Sequence, residues 1–169
     1  MHQDFLPPGI AVLTGAGISK ESGIDTFRDD GGLWTRVNLE EVATIDAWHR
    51  DKEKVLDFHN ETRGMLRAAG IGPNAAHHAL ARLEQAYEGD VTIITQNIDT
   101  LHEMAGSRKV IHMHGRDGEI RCMSCGAVLA SDADLSIRSI CPACRTVGEL
   151  RPNIVWFGEM PMHLDEIYQ

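Results

Sequence analysis

The sequence predicts an α/β protein, an open and mainly parallel sheet interrupted by a small metal-binding insert. Three observations carry that expectation. Short β-branched or apolar runs alternate with helical periodicity, the grammar of strand, helix, strand. A glycine-rich turn, Gly15-Ala16-Gly17, follows the first apolar run. Four cysteines in the pattern C-x2-C-x15-C-x2-C lie in a stretch that has no periodicity.

Taken in order, Pro7-Pro8-Gly9 break the chain before a short buried strand at Ile10 to Leu13. Apolar residues at Val55, Phe58, Met65, Leu66 and Ala69, closed by Gly70, predict a helix from about Asp51 to Ala69. A second helix follows Pro73-Asn74, with Ala76, Leu80, Leu83 and Tyr87 on one stripe and Gly89 as its stop. "VTIIT", Val91 to Thr95, reads as a buried parallel strand. A short helix over Thr100 to Ala105 stops at Gly106, and "KVIHMHG" reads as a third strand. Residues 116–150 rise in Gly, Ser, Cys and Asp, as an inserted module would. "NIVWFG" returns to strand composition, and "LDEIYQ" begins a helix.

Composition narrows the function classes. The 169 residues are 43% apolar and 24% charged, as in a soluble globular protein with one core, or a domain plus a small module. Sixteen basic residues against 25 acidic ones leave a net charge of −9, which argues against nucleic acid or an anionic membrane as partner. No apolar run approaches the ~20 residues of a membrane span. "MHQDFLPPG" lacks the basic start and apolar stretch of a signal peptide, so a cytoplasmic location is expected. Four cysteines in a reducing compartment point to metal ligands rather than disulfides.

Cys122, Cys125, Cys141 and Cys144 have zinc-ribbon spacing. Each C-x-x-C brings two thiolates to one ion, and four close a tetrahedral shell with no open position, so the expected metal is one structural zinc. A redox dithiol or unpaired buried cysteines are the alternatives. A nucleic-acid ribbon is a poor fit, because the insert has few basic residues and no aromatic to stack on a base.

The glycine turn departs from the dinucleotide fingerprint: Lys20 stands where G-x-G-x-x-G needs its third glycine. Its sequel is nonetheless specific. Ser19, Ser22 and Thr26 supply hydroxyls, while Gly15 and Gly17 let backbone N–H groups approach a pyrophosphate. Gly23, Gly31 and Gly32 suit a loop that rearranges over a ligand. Gln96, Asn97 and Asp99 follow the second strand, at the sheet end where open α/β proteins hold ligands. His112 and His114 close the third strand and point the same way if the segment is extended. Among the other histidines, His77 and His78 read as structural and His102 as helix surface or local packing.

"GAGISKESGIDTFRDDGGLW", "TQNIDTLHEMAG", "HMHG", the two C-x-x-C pairs and "RPNIVWFGE" together resemble the sirtuins, the NAD-dependent lysine deacylases, most closely the bacterial CobB type. The resemblance implies an incomplete Rossmann-like α/β domain over 1–169, truncated at its C-terminus. A helical module at about 35–72 and a zinc-ribbon module at 116–150 would be inserted in it. It implies NAD as a consumed co-substrate, held by Gly15, Ala16, Gly17, Ser19, Ile24, Asp25, Thr26, Phe27, Arg28, Trp34, Gln96, Asn97, Ile98 and Asp99. Nicotinamide would sit near Ile24, Asp25, Asn97 and Asp99, and Phe27 would shield the reactive ribose carbon after it leaves. The acyl-lysine oxygen would attack that carbon to give an alkylimidate, with Asn97 and His114 as the catalytic pair. His114 would act as general base on a ribose hydroxyl, and free lysine and O-acyl-ADP-ribose would be the products.

Val155, Trp156, Phe157, Gly158 and Glu159 match the segment that pairs with an acyl-lysine peptide. Relatives that remove succinyl groups carry Tyr-x-x-Arg where this chain has His59 and Thr62. The guanidinium that would pair with a succinyl carboxylate is therefore absent, while Ala43 matches the small residue that opens the acyl pocket. Acetyl is expected over succinyl. Two other functions stand beside deacylation: a peptide-binding interaction module without catalysis, and mono-ADP-ribosyl transfer. The expected partners are acyl-lysine proteins.

Overall fold

A computed structural model describes residues 8–24 and 37–169. Strand β1 (Ile10–Thr14) pairs in parallel with β2 (Val91–Thr95), and β2 with β3 (Val110–His112), in the order β1-β2-β3. Helix α1 (Ala16–Ser19) and a 3-10 turn, Lys20–Ser22, follow β1. Next come α2 (Ile45–Arg50), α3 (Lys52–Ala68), α4 (Ala75–Ala86) and, between β2 and β3, α5 (Leu101–Met104). A second sheet is antiparallel, with β4 (Gly115–Cys122) between β5 (Val128–Ala130) and β6 (Leu150–Ile154). Helix α6 (Leu164–Ile167) is the last element.

Local chemistry explains where the helices start. The side chain of Thr44 accepts the Ala47 N–H at the head of α2, and that of Asp51 accepts the Lys54 N–H at the head of α3. Asn74 and His77 form a capping box on α4, in which His77 Nδ1 accepts the Asn74 N–H.

Several expectations from periodicity need correction. Strand β1 is not buried along its length: only Thr14 is, and Leu13 is 63% exposed, because Ala11 and Leu13 share a face of the strand that is left uncovered among the described residues. On α3 the buried face is Val55, Leu56, His59 and Arg63, while Met65 is exposed. Polar His59 and Arg63 can face inward because each finds partners there. On α4 the buried residues are His77 and Ala81, not the stripe through Ala76 and Leu83. That helix packs on α5 through His77, whose ring meets His102 edge-on at 4.9 Å. His102 is itself fully buried, with Nε2 3.0 Å from the Thr14 hydroxyl, rather than on a helix surface. Of the strand composition at Asn153 to Gly158, only Asn153 and Ile154 lie in a strand, β6, which pairs antiparallel with β4. The insert, which shows no periodicity in sequence, nonetheless contributes most of β4, the longest strand described.

One apolar cluster holds the helices and the insert together. Trp48, Val55 and Leu56 from α2 and α3 pack with Ile120, Cys122, Leu135, Cys141 and Leu150, and with Trp156 beyond β6. Arg63 ties α3 to the insert by donating to the Asp117 carboxylate (2.9 Å) and the Ser131 carbonyl (2.9 Å). No described helix is long and apolar enough to cross a membrane.

Candidate active site

Thr14, Thr95 and His112 stand in one row across the parallel sheet, so the loops after all three strands leave from the same rim. That rim is where open α/β sheets hold ligands. Asn97, just past β2, is buried there and held through several atoms. Its N–H donates to the Thr95 hydroxyl (3.0 Å), and its side-chain amide donates to the Gly15 carbonyl (3.1 Å) and the Ser19 hydroxyl (3.0 Å). Ser19 donates in turn to the Asp99 carboxylate (2.9 Å), whose other oxygen accepts the Leu101 N–H (3.1 Å). Asn74 reaches the same turn, donating to the Ile18 carbonyl and the Ser22 hydroxyl. Gly15 and Ser19 are therefore brought beside Gln96, Asn97 and Asp99, with Ala16 and Gly17 between them in α1, Ile24 bonded back to the Ser19 carbonyl and Ile98 within the second loop. The expected contributions of Asp25, Thr26, Phe27, Arg28 and Trp34 lie outside the described residues.

His114 has Nδ1 2.9 Å from the Gln96 carbonyl. A carbonyl only accepts, so Nδ1 carries the proton and Nε2 is the basic atom of the neutral ring. The residue lines a cleft of about 340 Å³, together with Gln96, Ile98, Ala43, His59, Thr62 and Val155 to Glu159. Base, loop and expected acyl pocket thus share one wall-to-wall space.

Trp156 forms the floor of this cleft. Its indole N–H donates to His59 Nε2 (3.1 Å), with the two rings nearly parallel at 15°. Burial first, then the Arg151 charge, pulls the His59 pKa down to about 4, which keeps the ring neutral. Beneath, the fully buried Arg151 lies 3.4 Å over the indole and makes a two-pronged pair with Glu159 (2.9 and 2.8 Å). Burial raises the Glu159 carboxyl, but the hydrogen bonds and charge of Arg151 and the Trp156 N–H outweigh it and hold the pKa below its ordinary value. Residue-by-residue reading missed Arg151; the signal was a lone Arg in the run "LRPNIVW" with Glu159 eight positions on.

The Val155–Glu159 segment uses much of its own backbone. Val155 N–H donates to the His114 carbonyl (2.9 Å) and Phe157 N–H to the Ala43 carbonyl (3.0 Å), which closes the cleft between the helices and the sheet rim.

His112 and His114 do not point the same way, because β3 ends at His112 and the chain turns. His112 lies in a second cleft of about 210 Å³, with Glu103, Arg116 and Glu119.

The four cysteine sulfurs lie within 4.8 Å of one another, with Cys122–Cys144 at 3.7 Å and Cys125–Cys141 at 3.9 Å. Thiolates ~2.3 Å from a tetrahedral zinc stand ~3.8 Å apart, so the set fits one ion and leaves no position for substrate. No cysteine lines the cleft that holds His114.

A model of the Sir2 family matches residues 15–169. An NAD-dependent protein deacylase of Yersinia pseudotuberculosis is 54% identical over 167 residues, covering 99% of this chain and 60% of the relative. The NAD-dependent protein deacylase SIR2rp3 of Trypanosoma brucei brucei is 52% identical over 160 residues, 94% of this chain and 66% of its own length. Among solved structures, a Sir2 homologue complexed with ADP-ribose has a TM-score of 0.78 at 43% identity, covering 91% of this chain and 60% of that one. A Sir2 homologue–NAD complex has a TM-score of 0.75 at 43% identity, covering 90% and 58%. The chain thus spans about three fifths of the length of such relatives. The sheet-rim network and the cysteine set lie inside a family match that runs over nearly the whole chain, and on that ground the chain belongs to the Sir2 family.

Proposed function

We propose that this chain carries the working face of an NAD-dependent protein-lysine deacylase, which moves an acyl group from lysine to ADP-ribose and releases nicotinamide. The observation that carries the reading is His114, whose Nε2 is unbonded among the described residues and which lines the same cleft as Gln96 and Ile98 on one side and Ala43, His59 and Thr62 on the other. NAD supplies a ribose carbon that becomes electron-poor as nicotinamide leaves. In this reading Asn97 and Asp99, fixed through Ser19, border the nicotinamide end, and His114 Nε2 takes the proton from a ribose hydroxyl. The lysine stem lies over Trp156, between Val155 and Phe157. Zinc has no part in the chemistry; its four ligands hold the insert that packs against α3.

The test is nicotinamide release from NAD by the zinc-loaded chain with an acetyl-lysine peptide. Peptide-dependent release, lost in His114→Ala, is the expected result; a folded, zinc-loaded chain that releases none would overturn the reading for this chain. Following an adenosine label separates deacylation, which leaves it on O-acyl-ADP-ribose, from ADP-ribosyl transfer, which leaves it on protein.

The acyl group is acetyl rather than succinyl. Arg63, the nearest guanidinium in sequence to the acyl-pocket positions, is engaged with Asp117 and the Ser131 carbonyl. The Thr62 hydroxyl donates back to the Phe58 carbonyl (2.9 Å), and His59 Nε2 is taken by Trp156. An unpaired carboxylate in such a pocket costs on the order of 2–5 kcal/mol, so succinyl-lysine should turn over about 30- to several-thousand-fold less well than acetyl-lysine on a matched peptide. Comparable turnover of the two would sink the preference.

A further inference from the structure

Asn97 is held at one more point. Its backbone carbonyl lies 3.1 Å from Nδ1 of His112, and Nε2 of the same ring lies 2.8 Å from the Glu103 carboxylate. A carbonyl and an ionised carboxylate accept hydrogen bonds and donate none. A neutral imidazole has one N–H, so it serves one of these partners and turns a lone pair on the other. Only a ring with protons on both nitrogens bonds both at once.

Groups of both charge signs surround the ring. Glu103 and His102 face it from α5, Arg116 and Glu119 from β4, and His163 and Glu166 from the C-terminal turn. Three of these are carboxylates and one is a permanent cation. Arg116 sits 3.6 Å from the Glu103 oxygen that faces His112, and His102 is kept neutral by burial. Burial raises the Glu103 carboxyl, but the hydrogen bond and charge of His112, with Arg116 behind them, hold it below its ordinary value, so it remains an acceptor.

We propose that His112 is a positioning residue: an imidazolium bridging Glu103 to the Asn97 carbonyl, which fixes the loop from Gln96 to Asp99. Its kinetic consequence rests on the deacylase reading; its structural part does not. When the ring loses a proton, the shorter, charge-assisted bond to Glu103 is kept and the Asn97 carbonyl is released. Glu103→Gln reverses this logic. The glutamine amide N–H can donate to Nε2 while Nδ1–H stays on the Asn97 carbonyl, so a neutral ring serves both partners.

The experiment is NMR of the zinc-loaded chain, following the His112 ring nitrogens and the Asn97 carbonyl carbon from about pH 5.5 to about pH 8.5, around the ordinary histidine range. The expected result is two ring N–H groups at the acid end, loss of the Nδ1 proton as pH rises, and an Asn97 carbonyl shift that moves in step. In Glu103→Gln a single Nδ1–H and a flat Asn97 shift are expected throughout. A singly protonated ring across the range in the unaltered chain, or an Asn97 carbonyl that ignores the ring, overturns the proposal without any variant having to fold. In kinetics, Glu103→Gln should retain the kcat that the unaltered protein loses above neutral pH, roughly 2- to 10-fold, the worth of one hydrogen bond. The KM for peptide should not change. Absence of nicotinamide release from both proteins would count against the deacylase reading, while the ring and carbonyl titrations still decide this one.

Discussion

At the scale of single residues, buried polar groups control both the cleft and its response to acid. His59 is neutral in the folded protein, with its pKa at about 4 against an ordinary value of 6.5. Above about pH 6.5 both folded and unfolded chains leave it uncharged and it has no effect on stability. As pH falls from there toward 4, the unfolded chain takes up a proton that the folded one refuses, and stability declines. The loss is on the order of 2 kcal/mol at about pH 5. His77 and His102, both lowered by burial, act in the same direction. His59→Gln keeps an acceptor for the Trp156 N–H and cannot titrate, so urea unfolding should show a smaller acid loss in the variant; identical losses would refute the assignment. Arg151 behaves differently, because its charge is matched. Removing it by Arg151→Ala leaves the partly exposed Glu159 without its partner and should cost about 2–3 kcal/mol, with less than additive loss when Glu159 is changed as well.

Element-scale behaviour depends on how strands and helices approach one another. Gly115 opens β4 with φ of 80°, and a Cβ there would run into the Asn153 carbonyl oxygen and the Ile154 backbone of β6. Gly115→Ala should therefore lower stability by about 3 kcal/mol or more, from left-handed strain plus overpacking. Gly17 is the contrast. Among the described residues nothing lies within 4 Å of the Cβ it would carry, and it sits in α1, so Gly17→Ala should unfold at the same or a slightly higher denaturant concentration, and on the proposed deacylase reading any loss should appear in NAD binding. Both glycines are plain in the sequence, but one is required by strand contact and the other stands in open space at the head of α1. Helix α3 makes a related point. Its limits follow from Asp51 and Gly70, whereas Arg63 on its buried side follows from Asp117 and Ser131, far along the chain. Because Asp117 is partly exposed, Arg63→Ala should cost about 2–3 kcal/mol, less than a fully buried pair, measurable by thermal or urea unfolding.

For the whole molecule, the metal site and the cleft floor belong to one core. Cys122 and Cys141 are fully buried in the same cluster as Trp48 and Trp156. Chelation should therefore do more than loosen the insert: one zinc per chain should leave, tryptophan emission should shift to the red, and the melting temperature should fall. Stoichiometric zinc loss with unchanged emission would show that the cluster stands without the metal. The parallel sheet has a different character. Its covered face rests on α4 and α5, while β1 keeps an edge without a strand partner among the described residues. Stability is thus concentrated around the cysteines, and the sheet rim that carries Asn97 and His114 leans on it through the Val155 and Phe157 backbone bonds.

The sequence by itself determined the α/β class, the four clustered cysteines and the sheet-end groups, because each rests on local chemistry: strand composition, cysteine spacing, a glycine turn; His114 stood out from His112 through the resemblance to the sirtuins. Only the tertiary structure decided that His112 turns from His114 to bond the Asn97 carbonyl, that His59 accepts from Trp156, and that Arg63 leaves the cleft for the insert. Those facts depend on which distant groups share one small volume. A buried polar side chain takes its orientation, and often its charge, from partners that no local pattern in the chain can name.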